Sequence, residues 1–136
     1  MAGASELPEL PELAFAITRQ DLVRYAGAAN DYLPQHWDQE QMRGEGFPDV
    51  VVHGWLGCAH LCRAATAVLT PDRWTLAHYA VRYRRPVYPG EVRCGGTVTT
   101  REDGAKQVDG WIEDAKGEIV TTATLEFVAR TALAQD

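Results

Sequence analysis

Apolar residues in this chain are spaced in two ways: with helical periodicity before about residue 70, and by alternation after it. Between Thr18 and Ala29, the residues Leu22, Val23, Tyr25, Ala26 and Ala29 recur at helical intervals. Thr18 with Asp21 three residues on resembles a capping box, with Asp in place of the usual Glu or Gln. Pro34 ends this element, because proline cannot continue a helix. A short helix is expected from Asp38 to Arg43, closed by Gly44 and Gly46. From Gly54 to Leu69 the pattern is Leu56, Gly57, Ala59, Ala64, Ala65, Ala67, Val68, and Arg63 is the single charge. This predicts a helix buried on most sides, whose Gly, Ala and Cys residues let other backbone approach closely.

The second half predicts strands. Leu13 to Ile17 is a short apolar run that suits a first strand, and Tyr79, Val81 and Tyr83 alternate with polar or small residues. Pro86, Pro89 and Gly90 interrupt the pattern before a strand from Glu91 to Thr100. Asp103-Gly104 and Lys116-Gly117 are turn signals on either side of a strand from Val108 to Glu113. A last strand carries Ile119, Thr121, Ala123, Leu125 and Phe127 on one face. Four consecutive strands joined by hairpin turns imply an antiparallel sheet, and one apolar helix is most economically packed by curling that sheet around it. The fold class is therefore α+β. The Leu-Pro-Glu repeat within residues 1–12 reads as an extended lead-in, residues 13–130 as one domain, and 131–136 as a tail.

Composition narrows the function. A chain of 136 residues builds one core. Its 46% hydrophobic and 24% charged content fits a folded protein. A net charge of −6 argues against nucleic acid as a partner, since phosphate binding needs a basic surface. No apolar run is long enough to span a membrane. Glu6, Glu9 and Glu12 stand where a signal peptide would carry basic residues, so a cytoplasmic location is expected. The three cysteines, Cys58, Cys62 and Cys94, do not form a disulfide framework. Cys58 and Cys62 share a helix face while His60 lies roughly 200° around from Cys58, so no metal and no cofactor is expected.

The candidate chemistry lies between the two helices. Asp31 and His36 are separated by a proline-containing loop that can aim both side chains at one point, where a carboxylate and an imidazole can hold one water and move protons in both directions. Gly54 opens the long helix, and its N–H can polarise a carbonyl nearby. Together these parts suggest addition or removal of water beside a thioester.

The order Tyr25-Ala26, Asn30-Asp31, Pro34, His36, then Pro48-Asp49-Val50, then His53-Gly54 resembles the MaoC-like hot-dog fold proteins, which include (R)-specific enoyl-CoA hydratases and related acyl dehydratases. The run from Val81 to Glu91 is similar to the strand and turn that follow the helix in that family. The resemblance covers roughly residues 15–128. It implies a hot-dog fold, Asp31 as the main base with His36 as its partner, Gly54 as the oxyanion donor, and a trans-2-enoyl thioester hydrated to the 3R product. How the acid and base roles divide between Asp31 and His36 stays open from sequence.

One position departs from the pattern: Leu33 stands where the family usually has Asn, and this leaves Leu33 to line an apolar acyl pocket. Tyr32, Leu33 and Trp55 are expected to shape that pocket, with His53 a structural residue beside the substrate. Arg84 and Arg85 either bind the phosphates of coenzyme A or form a solvated strand edge. The expected partner is an acyl-CoA or acyl carrier protein thioester. The resemblance also implies a homodimer, or a heteromer with a related chain. Two alternatives remain, a non-catalytic or partner-dependent acyl-CoA-binding subunit and, ranked lower, a thioesterase.

Overall fold

In the computed structural model, which describes residues 9–71 and 73–130, Thr18 closes a full capping box with Asp21 and starts helix α1 (Arg19–Ala29). The shorter Asp side chain reaches back to the Thr18 N–H at 2.8 Å, as a Glu would. Asn30 ends α1 in the left-handed conformation at φ 53°, which Asn tolerates because its short side chain bonds locally. A single 3-10 turn follows at Pro34–His36, with the proline at its start. Asp38 then caps α2 (Gln39–Gly44) by accepting from the Gln41 N–H at 3.0 Å.

The central helix α3 (Gly54–Val68) buries Gly57, Cys58, Leu61, Ala64 and Ala65, the face that meets the sheet. Trp55, Ala59, Arg63 and Ala67 form an exposed row along its opposite side. It is therefore half-covered, not buried on most sides as its low charge suggested. Its small residues serve close approach on one face instead. Leu61 is fully buried and lies on Gly110, where a Cβ would stand 2.7 Å from a Leu61 methyl. Burying such a side chain contributes about 1.5–3 kcal/mol.

Five strands form one antiparallel sheet: β1 (Leu10–Ile17), β2 (Trp74–Tyr83), β3 (Gly90–Thr100), β4 (Lys106–Asp114) and β5 (Ile119–Ala129). The spatial order is β1-β3-β4-β5-β2. Registers such as Val98 opposite Val108 and Val108 opposite Leu125 stack the apolar face under α3. The hairpins expected at Asp103-Gly104 and Lys116-Gly117 join β3 to β4 and β4 to β5. No hairpin joins β2 to β3, which corrects the sequence expectation. Instead β2 pairs with β5 at the far end of the sheet. The link from Arg84 to Pro89 reaches roughly 20 Å when extended, enough to cross the mouth of a curled sheet, and its two prolines suit an extended path.

Both edges of the sheet reach the same helix. Phe15 of β1 stacks on His60 of α3 at 3.9 Å, and the Tyr83 ring of β2 lies against Gly54 at the start of α3. That contact from opposite edges is the curl. The first strand begins at Leu10, earlier than Leu13, with an irregularity between those two residues around Pro11. Of the expected lead-in, residues 1–8 lie outside the described residues, as does the tail 131–136. No helix among the described residues is long and apolar enough to cross a membrane.

Candidate active site

The loop after α1 is built to fix Asp31 and His36 together. The Asp31 N–H donates to the Ala26 carbonyl at 3.1 Å, and its Oδ1 accepts from the Leu33 N–H at 3.3 Å, an Asx turn that aims the carboxylate inward. The 3-10 turn then brings His36 back beneath it. Val51 clamps this turn from both sides, donating its N–H to the Gln35 carbonyl at 2.8 Å and accepting from His36 Nδ1 at 2.6 Å. Because a carbonyl only accepts, Nδ1 carries a proton and donates it to Val51, which leaves Nε2 turned toward the Asp31 side chain. Nε2 lies 3.7 Å from Asp31 Oδ2, too long for a direct hydrogen bond and short enough for one water to meet both. The Gln35 amide approaches the same nitrogen at 3.3 Å.

His36 is only 6% exposed, so it is no surface histidine despite its position beside Trp37. Asp49 steadies the neighbouring segment, its Oδ1 accepting from Arg19 at 2.7 Å, Gln39 at 3.1 Å and the Val50 N–H at 2.7 Å.

His53 ties the pair down. Its ring stacks on His36 with centroids 3.7 Å apart and planes 18° from parallel, and Tyr25 packs on it at 4.9 Å. His53 Nε2 donates to the Asp31 carbonyl at 3.2 Å. Nδ1 is buried without a hydrogen-bond partner among the described residues. Burial first, then the neighbouring His36, holds the His53 pKa below its ordinary value, against the bond to Asp31 that favours the charged form.

Asp31, His36 and His53 have donor atoms within 4.8 Å of one another, a spacing that admits a metal. The chemistry does not fit one. Two nearly parallel stacked imidazoles cannot both direct in-plane lone pairs at a single ion, and two of the four ring nitrogens are already donating to carbonyls.

Gly54 follows directly. His53 is the N-cap of α3 but makes no side-chain capping bond, and the first turn holds no acidic residue. The Gly54 N–H has no partner among the described residues, so the positive end of the helix is left open toward the cavity.

That cavity has a volume of about 460 Å³ and joins Asp31, His36, His53, Gly54, Trp55 and Leu33. Arg84 and Arg85 stand on its wall; Arg85 pairs with Glu118 at 3.0 Å and Arg84 Nε donates to Thr122 at 3.3 Å. The inner end is closed by Ile17, Gly57, Val92, Ile112 and Thr121, between helix and sheet. Tyr32 is not brought to this cavity. It is 60% exposed and lines a separate apolar groove with Val23 and Trp37, across His36. Sequence reasoning missed Val51, Gln35 and Tyr83. Only their contacts across the fold mark them, and no spacing rule links them to Asp31.

The chain matches the MaoC like domain over residues 5–124. It is 30% identical over 123 residues to the enoyl-CoA hydratase ChsH3 of Mycobacterium tuberculosis, an overlap of 90% of this chain and 39% of that protein. The chain thus spans well under half the length of that relative. A UPF0336 protein of Streptomyces griseus is 28% identical, over 90% of this chain and 89% of its own. Among solved structures, the ChsH1-ChsH2 complex from Mycobacterium tuberculosis is similar with a TM-score of 0.82 and 25% identity, covering 93% of this chain and 99% of that one. The (R)-hydratase from A. caviae involved in PHA biosynthesis gives a TM-score of 0.82 at 18% identity, over 93% of this chain and 98% of that one, which speaks for the fold alone. A curled five-stranded sheet on one helix, with this match along most of its length, makes the chain a member of the MaoC-like family of hydratases and dehydratases, with the hot-dog fold.

Proposed function

We propose that this chain catalyses reversible hydration of a trans-2-enoyl thioester to the (3R)-hydroxyacyl thioester. The observation that carries the reading is the meeting of Asp31 Oδ2 and His36 Nε2, 3.7 Å apart, in one cavity with the open N-terminus of α3 at Gly54. The Gly54 N–H donates to the thioester oxygen and draws electron density from C3. A water held by Asp31 and His36 attacks C3. Its oxygen bonds to C3, its proton passes to the Asp31–His36 pair, and the C2–C3 π electrons move toward the thioester oxygen as an enolate. The enolate collapses as C2 takes a proton, and dehydration is the reverse. The enoyl-CoA substrate is supported by the similarity to the enoyl-CoA hydratase ChsH3 of Mycobacterium tuberculosis. Leu33 and Trp55 contact the acyl part, and Arg84 and Arg85 face the head group, from coenzyme A or a carrier protein.

The test is a coupled assay with crotonyl-CoA and longer trans-2-enoyl-CoAs, following loss of the enoyl absorbance and checking the product with an R-specific dehydrogenase. Asp31→Asn keeps an oxygen for the Leu33 N–H and so keeps the turn. Both it and His36→Ala should lower turnover by about 10²–10⁴-fold without unfolding the protein. Near-full activity in either variant refutes the two-residue mechanism.

We further propose a homodimer through the free edge of β2. The similarity to the ChsH1-ChsH2 complex favours a second reading, in which a related chain completes the assembly. Inactivity of the purified chain, restored by adding a related chain, would select that reading. Release of free CoA thiol would instead select a thioesterase.

A further inference from the structure

We propose that the Tyr83 hydroxyl is a second hydrogen-bond donor to the thioester oxygen, acting beside the Gly54 N–H. The identity of the substrate rests on the hydratase reading above, but the placement of the hydroxyl does not. Tyr83 ends β2 and its ring lies across Gly54. A Cβ on Gly54 would stand 2.5 Å from Tyr83 Cε1 and 2.9 Å from its hydroxyl oxygen. The hydroxyl therefore sits at the first residue of α3, where the Gly54 N–H is unpartnered among the described residues. Both residues line the cavity that holds Asp31 and His36.

Tyr83 is half-exposed, so a ligand can reach its hydroxyl. Among the described residues that hydroxyl has only the Cys58 sulfur at 3.9 Å, a long contact to a weak acceptor, which leaves its proton free to turn toward a ligand. Burial, before any neighbouring group, pushes the phenol pKa well above its ordinary value, so the oxygen keeps its proton and remains a donor. Trp55 meets the Tyr83 ring edge-on at 6.3 Å and braces it.

A carbonyl oxygen seated on the Gly54 N–H falls within reach of this O–H. As water adds at C3, negative charge gathers on that oxygen, and two preorganised donors stabilise it more than one. The phenol gives up no proton in this role. Proton movement stays with Asp31 and His36.

Tyr83→Phe removes the oxygen and keeps the ring on Gly54, so the melting temperature should hold. Turnover of crotonyl-CoA should fall by about 10²-fold, with KM little changed. The second readout is 4-(dimethylamino)cinnamoyl-CoA, a push–pull chromophore whose absorption moves to the red when its carbonyl oxygen is polarised. At saturating protein, the wild-type chain should redden it and Tyr83→Phe should redden it less. Equal reddening overturns the proposal, whether or not turnover changes. A wild-type chain that reddens the probe but hydrates no enoyl thioester refutes the hydratase reading and leaves the Tyr83 assignment standing on the reddening difference. A wild-type chain that hydrates crotonyl-CoA but leaves the spectrum unmoved overturns the Tyr83 assignment and leaves the hydratase reading standing.

Discussion

His36 and His53 lie face to face, with ring centroids 3.7 Å apart and planes 18° from parallel, although they come from separate loops. The same His53 ring donates to the Asp31 carbonyl at 3.2 Å, so one buried side chain supports both members of the proposed acid–base pair. Burial, ahead of the neighbouring His36, holds the His53 pKa below its ordinary value.

His53→Phe separates these supports, because it keeps a ring under His36 and removes the N–H to Asp31. We expect turnover to drop by about 10-fold or more as the Asp31 loop loosens, with the fold retained by circular dichroism. The pH–rate profile should change shape, which a purely structural loss would not cause. Wild-type turnover in this variant would show that stacking alone suffices.

Gly54 is required by space, apart from the role proposed for its N–H. Gly54→Ala sets a methyl 2.5 Å from the Tyr83 ring at the edge of the sheet. Overpacking of this kind costs about 1–3 kcal/mol, readable as a lower melting temperature. Turnover should also be lost, since either the ring or the helix start must shift. An unchanged melting temperature would mean that the ring swings freely, and would weaken any role that needs it held.

The chain should lose stability in mild acid through two histidines. His53 is held below its ordinary 6.5 by burial and by His36, against the opposing pull of Asp31. His60, stacked on Phe15, is held below 6.5 by burial and then by Arg63, with Asp21 opposing. Unfolding frees both to bind protons at the ordinary value. Below about pH 6.5 the unfolded chain therefore binds more protons than the folded one, and stability falls as pH drops through that value. Above it this contribution is fully present. Thermal melts from pH 7.5 to 5 should show the decline, and His53→Phe with His60→Phe should flatten it. An unchanged slope in the double variant would assign acid sensitivity to other groups.

The free edge of β2 carries Tyr79 and Tyr83, 40% and 48% exposed, with Trp55 of α3 alongside at 51%. An open strand edge with apolar neighbours is a template for pairing. Sedimentation should give a dimer at micromolar concentration, and Tyr79→Lys should shift it toward monomer. A wild-type monomer under those conditions would rule out this edge as a self-association surface.

Sequence pattern gave α1, α2 and α3 within a residue or so of their observed ends, because capping is local: Thr18 with Asp21 and Asp38 act on their own first turns. Asn30, in the left-handed conformation, ends α1 instead of Pro34, which starts the 3-10 turn. The turns after β3 and β4 were equally legible for the same reason. The strand order was not. Whether β2 pairs with β3 or β5 depends on long-range hydrogen bonding and on the curl around α3, and both candidate neighbours show the same alternation.

The site divides in the same way. Residue types and order pointed to Asp31, His36 and Gly54, because turn and helix-start signals lie within short segments, and the fold brings all three to one cavity. Tertiary structure decided what surrounds them. It stacked His53 under His36, clamped His36 with Val51, turned Tyr32 away into another groove, and laid Tyr83 over Gly54. These contacts join residues far apart in the chain, so they depend on how the sheet wraps the helix, which no local spacing encodes.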